Sequence, residues 1–307
     1  MHANPQTRKT AMTDDALAHS FPRHAGESAS ARMNPGRLMQ SVYGLALLGI
    51  LTQTPSCHSQ DSTAIAGPIG RSQDSTAVVG SDTLFRKVEN RAFSLGEHLV
   101  FDIVYGPVKA GTATMSIPDT QRVDGRLCLH IVTTAESSPF FSNLFKVRDR
   151  VESLLDLDGI FSWRFEKHLR EGRYKAERTE LYDQVNQRVF YRNDTIPAPP
   201  YVMDILCAFY YTRTQVLEVG GSLDLDAFGD GKVYPLRVLV HRRETIKVPA
   251  GRFPCIVVEP VIKGEGIFNQ KGKLTIWLTD DERRIPVLLK SKVLVGSIDC
   301  RLRRIGK

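Results

Sequence analysis

From about residue 84 to the C-terminus, apolar and polar side chains alternate with a period of two, and Gly, Pro and Asp recur at short intervals. This period is typical of β-strands, because successive side chains of a strand point to opposite faces. Turn residues at this spacing favour hairpins in an antiparallel sheet. The predicted strands are 98–105, 109–117, 126–135, 147–155, 159–169, 172–182, 188–192, 236–248, 255–261, 273–279 and the run 287–302, which is broken by Gly296.

Residues 202–214 do not follow this period and are apolar on nearly all sides. Pro199 and Pro200 precede the segment, and Asp204 lies where a carboxylate in the first turn of a helix favours the helix dipole. A helix that is apolar all round is a buried one. We therefore predict a mainly β fold, a strongly curved antiparallel sheet in the form of a half-open barrel or a sandwich, with this helix against one face.

An export signal is predicted near the N-terminus. Arg37 precedes an apolar run at 41–51, and small residues follow as far as Cys57, which is the pattern of a secretory signal peptide. The run is too short to span a bilayer as a helix. Residues 1–57 are therefore predicted to be a leader and signal segment, and we hypothesise that translation starts at Met33.

Cys57 lies where a bacterial lipoprotein signal places its lipidated cysteine. Ser56 fits the small residue required before it, whereas Thr54 and Pro55 fit that signal poorly. Lipidation and simple cleavage both stay open. Lipidation would hold the protein at a membrane surface without a spanning helix, so we expect a protein of the periplasm or of the inner face of the outer membrane, membrane-associated only if Cys57 is lipidated.

Residues 58–83 contain a tandem duplication, because the sequence S-Q-D-S-T-A occurs at 59–64 and again at 72–77. The segment is rich in small and polar residues and has no aromatic residue. It cannot bury enough apolar surface to offset the entropy of ordering. The sequence thus predicts a flexible tether at 58–83 and a single β-rich domain at 84–307.

Composition and short motifs exclude several function classes. The chain is 42% hydrophobic and 24% charged with a net charge of +7, which is the balance of a soluble globular protein. Its basic residues are spread along the strands without the aromatic spacing of RNA-binding motifs, so no nucleic-acid partner is predicted. Hydrolase, zinc-protease, phosphate-loop and dinucleotide motifs do not occur, so no cofactor is predicted.

The histidines and cysteines of the predicted domain do not indicate a metal site, since none has the spacing of metal ligands. The histidines are His98, His130, His168 and His241. Each cysteine lies in an apolar context, and buried free thiols are predicted, with disulfide pairing in an oxidising compartment as the alternative. The cysteines are Cys128, Cys207, Cys255 and Cys300.

Three sets of carboxylates are the enzyme-like feature of the chain. Glycoside hydrolysis needs two carboxyl groups facing each other across a sugar. Turn acids and cross-strand ion pairs explain the same residues without catalysis, so no catalytic residue is assigned. The sets are Asp149 with Glu152, Glu166 with Glu171 on either side of His168, and Asp280 with Asp281.

The segment 139–145 carries more apolar side chains than an exposed loop usually does. The sequence leaves three roles open for these apolar side chains. They cap the open end of the sheet, they form a lid over an apolar cavity, or they touch a membrane as a tip. With two aromatic residues of the predicted helix, they are the candidate ligand contacts. These contacts are Phe140, Phe141, Leu144, Phe145, Phe209 and Tyr210.

Several blocks between residues 90 and 305, taken in order, resemble the bacterial envelope family known as domain of unknown function 3108. The resemblance implies an exported protein, often a lipoprotein, without an assigned activity, and it transfers no catalytic residue. Its strongest markers are Trp277, Asp280, Asp281 and Pro286. The matching blocks are 93–101, 105–106 with 110–111, 138–141 followed by Asp149, 171–172, 204–213, 248–253, 276–281, 285–287 and 295–297.

The strand containing Trp277, its acidic turn and the proline that follows also look like a hairpin of the lipoprotein-carrier proteins. Those fold as half-open antiparallel sheets with a helix in the concave face, although a fold does not fix a function. We therefore expect a non-enzymatic binder of a lipid or acyl chain. The alternatives are an assembly adaptor that docks an envelope protein and, less favoured, a polysaccharide hydrolase.

Overall fold

The computed structural model describes residues 85–262, 273–293 and 296–306, in which fourteen strands form one sheet and two helices are present. The predicted signal segment, tether and Cys57 lie outside these residues. The strands are β1 (His98–Tyr105), β2 (Val108–Val123), β3 (Arg126–Ser137), β4 (Arg148–Asp156), β5 (Ser162–Glu171), β6 (Tyr174–Asp183), β7 (Arg188–Tyr191), β8 (Asp194–Pro197), β9 (Ser222–Gly229), β10 (Lys232–Val248), β11 (Gly251–Ile262), β12 (Leu274–Thr279), β13 (Pro286–Lys292) and β14 (Ser297–Gly306). The helices are α1 (Pro139–Ser142) and α2 (Ile205–Thr214).

The sheet is antiparallel and almost entirely made of consecutive hairpins. Its order runs from β8 back to β1, then from β14 back to β9. Strands β1 and β14 pair in the middle, where Phe101 lies opposite Leu302, so the two ends of the domain meet at the centre of the sheet. The mainly β fold class is thereby confirmed, and the edge strands are β8 and β9.

The two edge strands β8 and β9 approach each other but do not pair, so the curved sheet is not closed into a barrel. The ring of Phe228 on β9 lies 6.0 Å from that of Tyr182 and 6.3 Å from that of Tyr191, on strands from the opposite end of the sheet. Met203, just before α2, forms a parallel bridge with Ala227 on β9. The sheet is therefore curved enough for its ends to make side-chain contact.

Alternation along the strands explains the core. On β1, Leu99, Phe101 and Ile103 are buried, and the residues between them are partly exposed. The predicted hairpin at Asp124-Gly125 is confirmed, with φ angles of 47° and 81°. Two consecutive positive φ angles are what a tight turn between twisted strands requires.

The predicted buried helix is present as α2. It begins at Ile205 rather than at residue 202, because Asp204 is its N-cap with an extended backbone and not a residue of the first turn. Most side chains of α2 are buried. Within the described ranges, neither helix is long and apolar enough to cross a bilayer.

Candidate functional site

An apolar cavity lies between α2 and the inner face of β10–β13. Its empty volume is about 720 Å³, which includes space open to solvent. The wall is formed by Met115, Ile205, Leu206, Ala208, Phe209, Thr212, Leu236, Val238, Val258, Pro260, Leu274, Ile276, Leu278 and Leu289.

Among the described residues that line this wall, Thr212 is the one polar side chain. Its hydroxyl donates a hydrogen bond to the carbonyl of Ala208 one turn earlier, at 2.8 Å. The hydroxyl proton is therefore already used within the helix. The described part of the wall accordingly offers a ligand apolar contact and no charged side chain.

The N-terminus of α2 is fixed to the sheet by Asp204, which is fully buried. One carboxylate oxygen accepts hydrogen bonds from the amides of Leu206 and Cys207, at 2.8 and 2.9 Å. The other accepts from the hydroxyls of Ser153 and Ser162, at 2.7 and 2.6 Å. Burial raises the pKa of Asp204, although these four bonds oppose the shift. The cap therefore connects α2 to β4 and β5.

The two candidate ligand residues of α2 have different surroundings. Phe209 lies in the cavity wall. Tyr210 is fully buried, its ring stands edge-on to Phe93 at 4.8 Å between centroids, and its hydroxyl donates to Glu97 at 3.4 Å. The structure thus places Phe209 at the cavity and gives Tyr210 a packing role.

The four candidates from segment 139–145 divide by exposure. Phe140 and Leu144 point into solvent, Phe141 packs on the core and Phe145 is buried. None of the four is in the wall of the cavity beneath α2. Ligand binding by these residues stays a prediction, and the geometry favours a tip over a lid on this cavity.

Two buried carboxyl groups come together beneath that segment, Asp149 on β4 and Glu171 at the end of β5. Asp149 accepts a hydrogen bond from the amide of Arg170, at 2.8 Å, and one from the side chain of Glu171. Burial, followed by the charge of Asp149, raises the pKa of Glu171 to about 8, and burial also raises the pKa of Asp149. Glu171 is therefore the protonated member of the pair at neutral pH.

The same side of the interior holds another buried carboxyl, Glu180 on β6. Burial raises its pKa to about 8, and it accepts a hydrogen bond from the hydroxyl of Tyr182 at 2.7 Å. Nearby, the ammonium of Lys167 lies 3.4 Å from Asp230, just beyond β9. This wall of the interior is polar, whereas the wall formed by β10–β13 is apolar.

The carboxylate sets singled out in the sequence are not arranged as glycosidase pairs. Asp149 is buried, whereas Glu152 lies on the outer face and pairs with Arg150 and His130. Asp149 instead meets Glu171 directly, without the separation of about 5 Å or more that sugar hydrolysis needs. Sequence reasoning missed this pair, although both residues stand in blocks that resemble the family.

One group of outer-face side chains, Glu152, Glu166 and His168, has its ligand atoms close enough to hold a metal ion. Arginines already occupy these carboxylates, since Arg150 pairs with Glu152 at 2.5 Å and Arg164 pairs with Glu166. A cation would have to displace both guanidinium groups. The arrangement is therefore better explained as an ion-pair network between strands.

Four cysteines are buried and free in the structure: Cys128, Cys207, Cys255 and Cys300. Burial raises the pKa of every one of these thiols, to about 12 for Cys128 and Cys300. Thiols with raised pKa values react slowly, because the thiolate is the nucleophile. These cysteines contribute packing rather than chemistry.

The marker residues near the C-terminus shape the turn between β12 and β13. Asp281 accepts hydrogen bonds from the amides of Arg283 and Arg284, both at 3.1 Å, and Asp280 pairs with Arg243 at 2.7 Å. Pro286 begins β13. On the outer face, the indole of Trp277 donates to Glu244 at 2.7 Å. The markers therefore form a structural hairpin.

The model of the protein family described as "Protein of unknown function (DUF3108)" matches residues 100–303, which is most of the domain. The chain belongs to the DUF3108 family. No curated protein is significantly similar to this DUF3108 protein in sequence.

Solved structures resemble this DUF3108 protein at low identity. A β-barrel-like protein of domain of unknown function DUF1849 from Brucella abortus is 8% identical, with a TM-score of 0.45 and coverage of 70% of this chain and 98% of that one. An exported-protein candidate with a YmcC-like fold from Bacteroides fragilis is 13% identical, with a TM-score of 0.33 and coverage of 73% and 100%. A lipoprotein candidate from Parabacteroides distasonis is 8% identical, with a TM-score of 0.32 and coverage of 72% and 99%.

Proposed function

We propose that this protein is an exported envelope protein that binds the acyl chain of a lipid in the cavity beneath α2. The observation that carries the proposal is the composition of the described cavity wall, where apolar side chains stand with one threonine whose hydroxyl is already bonded. A wall without charged groups favours a hydrocarbon ligand, because burying a polar group without a partner is unfavourable.

One face of the helix α2 forms part of the cavity wall. Ile205, Ala208, Phe209 and Thr212 lie three and four residues apart, so they form one face of α2 that looks into the cavity. That helix is held at one end by the buried cap Asp204. A ligand therefore enters a largely pre-formed space, which reduces the conformational cost of binding.

The test compares two tryptophan substitutions at leucines of similar exposure. Leu274 on β12 lies in the cavity wall, whereas Leu288 on β13 lies opposite Trp277 on the other face of the sheet. We expect Leu274→Trp to lower the affinity for a fluorescent fatty acid by at least about tenfold, since the indole would occupy the cavity. Leu288→Trp should leave that affinity unchanged.

Native mass spectrometry of protein purified from its own envelope provides the second measurement. The expected result is a bound species that organic solvent releases and whose mass is that of a fatty acid or lipid. Purified protein that is empty and has no affinity for acyl chains would refute the proposal. A crosslinked envelope protein in place of a lipid would instead support an adaptor.

A further inference from the structure

A cluster of apolar side chains projects from one end of the sheet. Phe140 and Leu144, between β3 and β4, are 76% and 65% exposed. Val108, after the β1–β2 turn, and Tyr174, at the start of β6, are also exposed. We call these four side chains the apolar tip. Exposed apolar side chains grouped in this way mark an interaction surface more often than scattered ones do.

Backbone hydrogen bonds hold the three connections that carry the tip side by side. The amide of Ser138 donates to the carbonyl of Ala110 at 2.8 Å, which joins the β3–β4 loop to β2. The amide of Gly172 donates to the carbonyl of Lys146 at 2.8 Å, which joins the β5–β6 turn to the same loop. The three connections that carry the apolar tip therefore lie side by side at one end of the sheet.

The loop is built to present its apolar side chains outward. Phe145 is buried against Gly172, where an added Cβ would lie 2.8 Å from the ring. Phe141 packs on the core, and its amide donates to the hydroxyl of Ser138 at 3.4 Å. Because Phe141 and Phe145 pack inward, the folded loop holds Phe140 in the solvent.

Basic side chains lie on the side of the tip that β4, β5 and β6 form. Glu136, at the end of β3, is an exposed carboxylate in the same region. Within the described ranges, no carboxylate lies within ion-pair distance of any of five exposed basic residues, which we call the basic collar. They are Lys146, Arg148, Arg170, Arg173 and Lys175.

We propose that the apolar tip and the basic collar dock this protein onto an anionic lipid surface. The collar is complementary in charge to acidic head groups, and the tip matches the acyl boundary just below them. A protein partner would need about 1,000 Å² of buried surface with few charges at its centre. A lipid surface needs only a few inserted side chains with cations beside them, and the exposed apolar and basic residues at this end of the sheet meet that need.

The first experiment measures flotation of the full chain with vesicles of phosphatidylcholine, with and without phosphatidylglycerol. Cys57→Ser is included in every protein so that no N-terminal lipid contributes. We expect Phe140→Ser with Leu144→Ser to lower the partition coefficient for the anionic vesicles by about tenfold or more. The control is Val216→Ser with Val219→Ser, because Val216 is 86% exposed but lies outside the tip.

The second pair of variants tests the collar. Lys146→Gln with Arg173→Gln should lower partitioning by about fivefold per charge, only for the anionic vesicles and less at high salt. Lys247→Gln with Arg252→Gln removes the same charge from the β10–β11 hairpin and should have a smaller effect.

Three outcomes would overturn the proposal. One is the absence of binding to anionic vesicles. Another is binding that the tip and control substitutions weaken equally, which would assign it to another surface. The third is a Phe140 substitution that abolishes crosslinking to an envelope protein and leaves binding to vesicles unchanged. All variants should have the same far-ultraviolet circular dichroism spectrum, so that a loss of binding is not caused by a loss of folding.

Discussion

Arg213 in the last turn of α2 and Glu97 before β1 form a buried bidentate ion pair, with both N–O distances at 2.8 Å. The guanidinium also donates to the carbonyls of Ala92 and Arg283, at 3.1 and 3.2 Å. One side chain thus joins the helix to the segment before β1 and to the β12–β13 turn. Together with the cap at Asp204, it fixes both ends of the helix that covers the cavity.

Replacing Glu97 by Gln is expected to lower the free energy of unfolding by about 3–5 kcal/mol, because it leaves the charge of Arg213 buried and uncompensated. Urea unfolding followed by tryptophan fluorescence measures the change. The control is Glu89→Gln, which breaks the exposed pair with Arg91 and should change stability far less. Equal effects of the two substitutions would contradict a structural role for the buried pair.

Much of this fold could be predicted because the alternation of apolar and polar residues within a strand shows which of its faces is buried. The β1 strand and the Asp124-Gly125 turn are read directly from alternation and turn chemistry. The missed strands β8 and β9 are the edges of the sheet. For β8, D-T-I-P has too few apolar residues to show a period. For β9, Leu223 and Leu225 do alternate with aspartates, so that signal was available.

The cavity and the pairings around it could not be predicted in the same way, because they depend on which distant strands meet. Tyr210 was expected at a ligand but packs against Phe93, which precedes β1. Asp149 and Glu171 are separated by two strands' length of chain, and only the register of β4 on β5 brings them together. Sequence periodicity gives the face of a strand, not the residue opposite it.

The buried cap of α2 gives a prediction that separates hydrogen bonding from charge. Asp204→Asn keeps one oxygen that accepts from the helix amides, and the two serine hydroxyls can reorient to accept from its side-chain NH2 group. We therefore expect the free energy of unfolding to fall by about 1 kcal/mol. Asp204→Ala leaves Ser153, Ser162 and two amides without their acceptor and should cost about 3 kcal/mol or more. Thermal unfolding of both variants measures the difference; equal losses would show that charge, not hydrogen bonding, sets the role of this residue.

Gly172 and Gly125 provide a matched pair for the packing beneath the apolar tip. Both have positive φ, 60° and 81°, but an added Cβ would meet Phe145 at Gly172 and no atom within 4 Å at Gly125. Gly172→Ala should therefore lower the free energy of unfolding by about 1 kcal/mol more than Gly125→Ala. Urea unfolding tests this, and equal effects would mean that Phe145 moves aside freely.

The buried carboxyls predict a dependence of stability on pH. Burial raises the pKa of both Glu171 and Glu180 to about 8, whereas in the unfolded chain a glutamate titrates near its ordinary value of about 4.3. Between these values the folded state binds more protons than the unfolded state. The free energy of unfolding should therefore fall as pH rises from about 5 to about 8, by on the order of 3 kcal/mol for each of the two carboxyls.

Groups with lowered pKa values change the free energy of unfolding below about pH 5, outside this range. Burial alone would raise the pKa of Asp156, but its hydrogen bonds, first among them that from Arg126, lower it, so its contribution is lost only in acid. Glu171→Gln with Glu180→Gln mimics the protonated carboxyls and should flatten the fall between pH 5 and 8. Glu177→Gln, on the same strand as Glu180 but exposed, should leave the slope unchanged. Urea midpoints at several pH values decide the matter: an unaltered slope in the double variant would show that other groups carry the dependence.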